Sequence, residues 1–204
     1  MSADRTDSVG LIDGARLRES LETITRQVES DDSAGRMRPW VSASLERDVT
    51  AVATFEQYGR VFEFRSDEAV ARGGHDSAPS PMRYLLSSIA FCTLGWIAKT
   101  WAAHDVPVTS LRTTVRTSLD MRGEHRVGSA EAHPPWFVVE VDIDDDARPG
   151  DSIAMLREAV ARCPVTALVD RAVPVHLVLI QRGKMALDTR PEELRTEHAE
   201  EQTR

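Results

Sequence analysis

The sequence predicts an α+β fold, antiparallel sheets with a long buried central helix. Three observations lead there. Strand-like and helix-like segments come in clusters rather than in strict alternation, which disfavours a parallel doubly wound sheet. The 15 residues from Tyr84 to Ala98 carry no charge. That is fewer than the ~18–20 apolar residues a membrane span needs, so the run reads as a buried helix. The chain has 204 residues, 41% hydrophobic and 28% charged, which suits a globular protein with one full core plus extensions.

Residues 1–10 are polar and read as disordered. From Gly14 to Ser30, Leu17, Leu21, Ile24 and Val28 recur at helical spacing and predict an amphipathic helix. The polar stretch Glu29–Gly35 is a linker. Three short strands follow, over Trp40–Arg47, Val49–Gln57 and Arg60–Arg65, with Tyr58-Gly59 as the turn between the last two. Asp67–Ser80 holds Gly73-Gly74 and Pro79 and is a loop. Its end, Ser80-Pro81, pairs an N-cap serine with proline at the first helical position.

The central helix then runs from Pro81 to about His104, with Pro107 beyond its end. Alternation over Arg112–Arg122 predicts a strand whose Thr113, Val115, Thr117, Leu119 and Met121 share a face. Phe137, Val139, Val141 and Ile143 mark another. Asp151–Arg162 reads as a helix that Pro164 must end or kink. Val173–Gln181 is a last strand, and the acid-rich stretch from Asp188 is solvated, with at most a frayed helix. The domain plan is an N-terminal extension of helix and linker (1–35), a central domain (36–183) and an acidic C-terminal tail (184–204).

A net charge of −8 lacks the basic stripe of a nucleic-acid surface. No cationic, apolar leader opens the chain, and with only two cysteines the reading is cytoplasmic and reducing, where a disulfide is transient. The six histidines show no ligand spacing with each other or with the cysteines, so no metal is expected. Gly73-Gly74 has no phosphate-loop continuation, so no cofactor is expected either.

The two cysteines carry the chemistry. Cys92 lies mid-way along the apolar helix, and Cys163 sits at a helix-to-proline junction, Ala161-Arg162-Cys163-Pro164. Each alone reads as well as a small buried hydrophobe. At the junction, however, free helix-end amides favour a thiolate. If the fold joins them, Cys92 is a nucleophilic thiol and Cys163 its resolving partner. Phe91, Trp96 and Trp101 share the helix with Cys92 and read as core residues that could also wall an apolar pocket.

The stretch from Gly73-Gly74 through Pro79-Ser80-Pro81 to Cys92-Thr93 resembles the first cysteine signature of the OsmC/Ohr superfamily. That signature is a glycine-rich loop, a proline opening a long helix, and the cysteine about ten residues on. Cys163-Pro164-Val165-Thr166 resembles the second signature, and the likeness extends over roughly residues 38–183. It implies an OsmC-like intertwined homodimer and a thiol peroxidase. Cys92, as thiolate, would attack an organic hydroperoxide and become a sulfenic acid; Cys163 would condense with it to a disulfide; an external dithiol would reduce that. The family's arginine, from the end of the first strand, is matched here by Arg47, with Arg60 as the runner-up.

One departure stands out. The family pattern has glutamate ten residues before the first cysteine, and this chain has Met82 there. Three readings therefore stand side by side: organic hydroperoxide reduction, a non-peroxidase that binds an apolar or thiol-containing small molecule at the dimer interface, and a fold in which both cysteines merely fill space.

Overall fold

The computed structural model describes residues 10–37, 39–172 and 174–201. The first nine residues, expected to be disordered, lie outside the described residues, as does Val173 at the expected start of the last long strand. The chain divides into two compact units, Ile24–Ser88 and the remainder.

Helix α1 spans Gly14–Ser30, the predicted residues. Asp13 caps it, its Oδ1 accepting the Arg16 N–H at 3.0 Å. Arg18 on α1 donates from Nη1 to the Ala102 carbonyl at 2.9 Å and pairs with Asp105 at 2.6 Å. Ala102 is near the end of α2 (Pro81–Ala103), so Arg18 satisfies a helix-end carbonyl and puts positive charge where the helix dipole favours it.

Within Ile24–Ser88, β1 (Ser42–Arg47), β2 (Thr50–Gln57) and β3 (Arg60–Ser66) form one antiparallel sheet in sequence order. Tyr58 and Gly59 both take positive φ, the two-residue turn whose twist suits a tight hairpin. The register puts Leu45, Ala51, Ala53, Phe55, Phe62 and Phe64 on one face. Phe55 stacks on Phe62 and Phe64, with ring centroids 5.5 and 5.6 Å away. Much of this apolar face is open in the single chain: Leu45 is 70% and Phe64 47% exposed.

The loop from β3 to α2 is tied down by Asp67, which is buried. Its carboxylate accepts the Ser77 hydroxyl (2.6 Å), the amides of Ser77 and His75 (3.0 Å each) and of Glu68 (2.9 Å), and the Thr50 hydroxyl (3.1 Å). The Ser77 hydroxyl leads in holding this carboxyl well below the usual range, against the opposing effect of burial. Gly73, at φ 87°, is left-handed, and a Cβ on Gly74 would fall 1.8 Å from the Glu68 carbonyl oxygen. The glycines are therefore explained by backbone geometry.

In the remainder of the chain, β4 (Val108–Thr117), β5 (Phe137–Asp145), β6 (Val175–Gln181) and β7 (Lys184–Asp188) form the second sheet in that order. Its pairs are antiparallel except β5 with β6, which are parallel because α4 (Pro149–Arg162) and α5 (Pro164–Ala172) cross between them. Strand β5 is central, with Phe137, Val138, Val139, Val141 and Ile143 all buried.

Three elements differ from expectation. Strand β4 stops at Thr117 rather than continuing to Arg122, because Asp120 accepts the Arg122 N–H at 2.9 Å and caps the short helix α3 (Met121–Glu124). Pro164 ends α4 outright and opens a second helix. The stretch expected to be tail begins with β7, and half-buried Asp188 is held by buried Arg190 through two bonds of 2.9 and 2.8 Å, while most of residues 191–196 are exposed as expected. Helix α6 (Glu192–Glu201) follows.

Helix α2 buries Ile89, Thr93, Ile97, Thr100 and Trp101 on one face. The opposite side is apolar yet open, with Phe91 71% exposed. By length and composition α2 could cross a membrane, a test that the core helix of a globular fold passes equally. Trp101 anchors it: the indole N–H donates to Asp145 Oδ2 at 2.7 Å, and Ser152 and Gln181 donate to the same buried carboxylate.

Candidate active site

Cys163 is one residue serving two helices. It is the C-cap of α4, its N–H donating to the Val160 carbonyl at 3.1 Å, and its own carbonyl accepts the Ala167 N–H at 2.9 Å to start α5. Its backbone (φ −79°, ψ 109°) is extended, as an N-cap requires, and Pro164 occupies the first helical position, where its missing N–H costs nothing. The sulfur then takes the place of a capping oxygen. Thr166, three residues on, donates to Cys163 Sγ from its amide at 3.4 Å and from its hydroxyl at 3.0 Å.

This segment comes up against the middle of α2. The Cys92 and Cys163 side chains lie within hydrogen-bonding reach of one another, and the Val165 amide points at both sulfurs. Alongside, the Thr93 and Thr166 hydroxyls are 3.3 Å apart, with Thr93 also bonded to the Ile89 carbonyl at 2.8 Å. Both cysteines are free thiols; Cys163 is fully buried and Cys92 half-buried. Two cysteines far apart in the chain thus meet as one pair.

Their acidities diverge. Burial, followed by the bond to Cys163, pushes the Cys92 thiol up to about 11, and the Val165 amide and the Lys99 charge offset this only in part. Burial also raises the Cys163 thiol, but bonds from Cys92, the Thr166 hydroxyl and the Thr166 and Val165 amides outweigh it, so its pKa falls below the ordinary cysteine value. Lys99 itself stacks on the Trp96 ring, Nζ 4.8 Å from the centroid.

Arg47 sits at the end of β1, 75% exposed, with Nε 3.3 Å from Asp48 Oδ2. Glu46, its neighbour in β1, is bound to Arg65. Arg60 opens β3 and is exposed. The first turn of α2 carries no acid, and Met82 is half-buried there. Trp101 belongs to the core, while Phe91 faces outward. Among the described residues no group of three or more His, Cys, Asp or Glu is placed to hold a metal ion. Thr166 is the residue that sequence reading passed over. Its signal was the order Cys163-Pro164-Val165-Thr166, which matches N-cap, N1, N2 and N3 of a helix.

A two-sheet α+β protein with paired thiols between its long helix and a helix–proline–helix joint is a recognisable class. The OsmC-like protein family model matches residues 74–178, just over half of the chain, and the chain belongs to that family. No curated protein matches it. Solved structures share the fold at low identity. The OsmC-like protein of Mycoplasma pneumoniae is 16% identical with a TM-score of 0.58, over 71% of this chain and 98% of that one. An organic hydroperoxide resistance protein OsmC from Legionella pneumophila is 15% identical (TM-score 0.54, 71% and 99%). Another organic hydroperoxide resistance protein, from Elizabethkingia anophelis with thiocyanate bound, is 11% identical (TM-score 0.56, 72% and 99%).

Proposed function

We propose that the protein reduces organic hydroperoxides in the cytoplasm through a Cys92/Cys163 dithiol–disulfide cycle. Cys92, the more accessible sulfur, attacks the distal peroxide oxygen and becomes a sulfenic acid as the alcohol leaves. Cys163 then displaces hydroxide to form the disulfide, and an external dithiol restores both thiols. Arg47 is the cation we assign to the Cys92 thiolate. The observation that carries this reading is the contact between the two sulfurs. Two names among the structural relatives, both of hydroperoxide resistance proteins, point the same way.

The working unit in this proposal is a homodimer. The open apolar side of α2 and the bare face of the β1–β3 sheet support it, since exposed apolar area of this kind marks an interface. Met82 favours a second reading, in which the pair binds a small apolar or thiol-bearing molecule without turning over peroxide.

The test is thiol loss in the reduced protein on mixing with cumene hydroperoxide, with light scattering on the same sample. Wild type should lose both thiols to an intramolecular disulfide and scatter as a dimer. Cys92→Ser should consume no peroxide, and Cys163→Ser should stop at a sulfenic acid that dimedone traps. Peroxide left untouched by wild type sinks the peroxidase reading in favour of the binding one; a monomer sinks the assembly.

A further inference from the structure

Most backbone N–H groups in the middle of a helix are already bonded to the carbonyl four residues back, so α2 offers its own sulfur no amide. The start of α5, nine residues long, has free amides and the positive end of a helix dipole. Cys163 occupies that position. The Thr166 amide and hydroxyl and the Cys92 S–H converge on its sulfur, with the Val165 amide beside them. A neutral thiol is a weak acceptor, whereas a thiolate makes strong, charge-assisted bonds. A sulfur ringed by donors in a closed pocket is arranged for negative charge. The donor nearest in kind is the very proton that Cys92 must lose before it can react.

We infer that Cys163 rests as the thiolate beneath Thr166 and is the base that takes the Cys92 proton when Cys92 attacks, with Thr166 as its positioning residue. This deepens the hydroperoxide reading and rests on it. As Cys92 attacks ROOH, its S–H proton passes to Cys163, the new S–O bond forms and the O–O bond breaks. The departing RO⁻ takes the proton back from Cys163 as ROH. Cys163, again a thiolate, attacks the Cys92 sulfenic acid, and the leaving hydroxide closes the disulfide. Cys163 would thus act as base, acid and nucleophile in turn, which gives the site a route to a Cys92 thiolate without an acid at position 82. Lys99 on α2 favours the Cys92 thiolate, and Arg162, beside Cys163 on α4, is matched by Glu158 at 2.9 Å.

The test replaces peroxide with iodoacetamide, so that it reads proton transfer whether or not the protein is a peroxidase. Reduced protein is alkylated from about pH 5 to about pH 11, and the labelled cysteine is mapped by peptide mass spectrometry. Wild type should label Cys92, half-maximally below the ordinary cysteine range of ~8.5. Cys163→Ser should slow that labelling at neutral pH about 100-fold, the lower end of a general base's contribution. Thr166→Val should slow it about tenfold and move the profile up by about one pH unit, as expected for one lost charge-assisted bond. Thr166→Ser should restore both. Ultraviolet thiolate absorbance at neutral pH should survive in Cys92→Ser and vanish in Cys163→Ser, a readout independent of any folding effect at Thr166. The inference is overturned by preferential labelling of Cys163, by unchanged profiles in Cys163→Ser and Thr166→Val, or by thiolate absorbance that follows Cys92.

Discussion

The middle of α2 and the joint between α4 and α5 hold the same side chain in contact, yet give it opposite acid–base character. α2 surrounds Cys92 with helix whose amides are spent, so burial dominates and the proton stays. The joint surrounds Cys163 with amides that proline has freed from helix bonding, so the charge is welcome. Acidity here is decided by where in a helix a sulfur sits, more than by how deeply it is buried. Cys163 is the deeper of the two and the more acidic.

The most damaging way to break this contrast is to unseat α2. Trp101→Ala removes a fully buried indole and leaves the Asp145 carboxylate short of a donor. It should cost about 3–5 kcal/mol in urea melts. A loss under about 1 kcal/mol would show that α2 is held by its other contacts. Next in size is the acid missing from the start of α2. Met82→Glu should speed peroxide consumption by roughly 10- to 150-fold, the rate equivalent of one charge-assisted hydrogen bond of ~1.5–3 kcal/mol. Arg47→Ala in the same background should erase the gain; a gain that survives it would remove Arg47 from the site.

A further effect is on stability against pH, and it separates the two sulfurs. Folded Cys92 keeps its proton to about 11, while the unfolded chain releases it near ~8.5, so the folded state binds more protons between those values and stability falls as pH rises. Folded Cys163 gives up its proton earlier than the unfolded chain. Its contribution is complete above ~8.5 and is lost as pH falls through its lowered pKa. The pair's contribution should therefore peak near pH ~8.5 in urea melts of the reduced protein. Cys92→Ser should flatten the alkaline limb and Cys163→Ser the acidic one. The reverse assignment of limbs would invert the account of the pair.

Much of this was legible in the sequence, because it depends on local patterns. The α1 stripe, the Ser80-Pro81 opening and the charge-free run define their helices by spacing alone. The link between Cys92 and Cys163 was legible through resemblance, since nothing local joins them. What escaped depended on tertiary partners or on short elements. β7 has only five residues and gains its identity by pairing with β6. The Asp188–Arg190 bonds bury residues whose composition reads as solvated. The parallel β5–β6 pair follows from the helical crossover that links those two strands. The pairing of Glu46 with Arg65 was set by strand register, which hydrophobic alternation does not fix at a polar strand end.

Gly74 takes no part in the chemistry, yet its backbone passes so close to the Glu68 carbonyl that even one methyl group has nowhere to go. The neighbouring amides of Glu68, His75 and Ser77 are held by Asp67, so the loop cannot give way without dismantling that cluster. In a screen of random variants, substitutions at this position should be lost as reliably as those at a catalytic cysteine. Its intolerance would then record a collision between two stretches of main chain, and a map of essential positions would carry two kinds of entry: those that react and those that simply leave room.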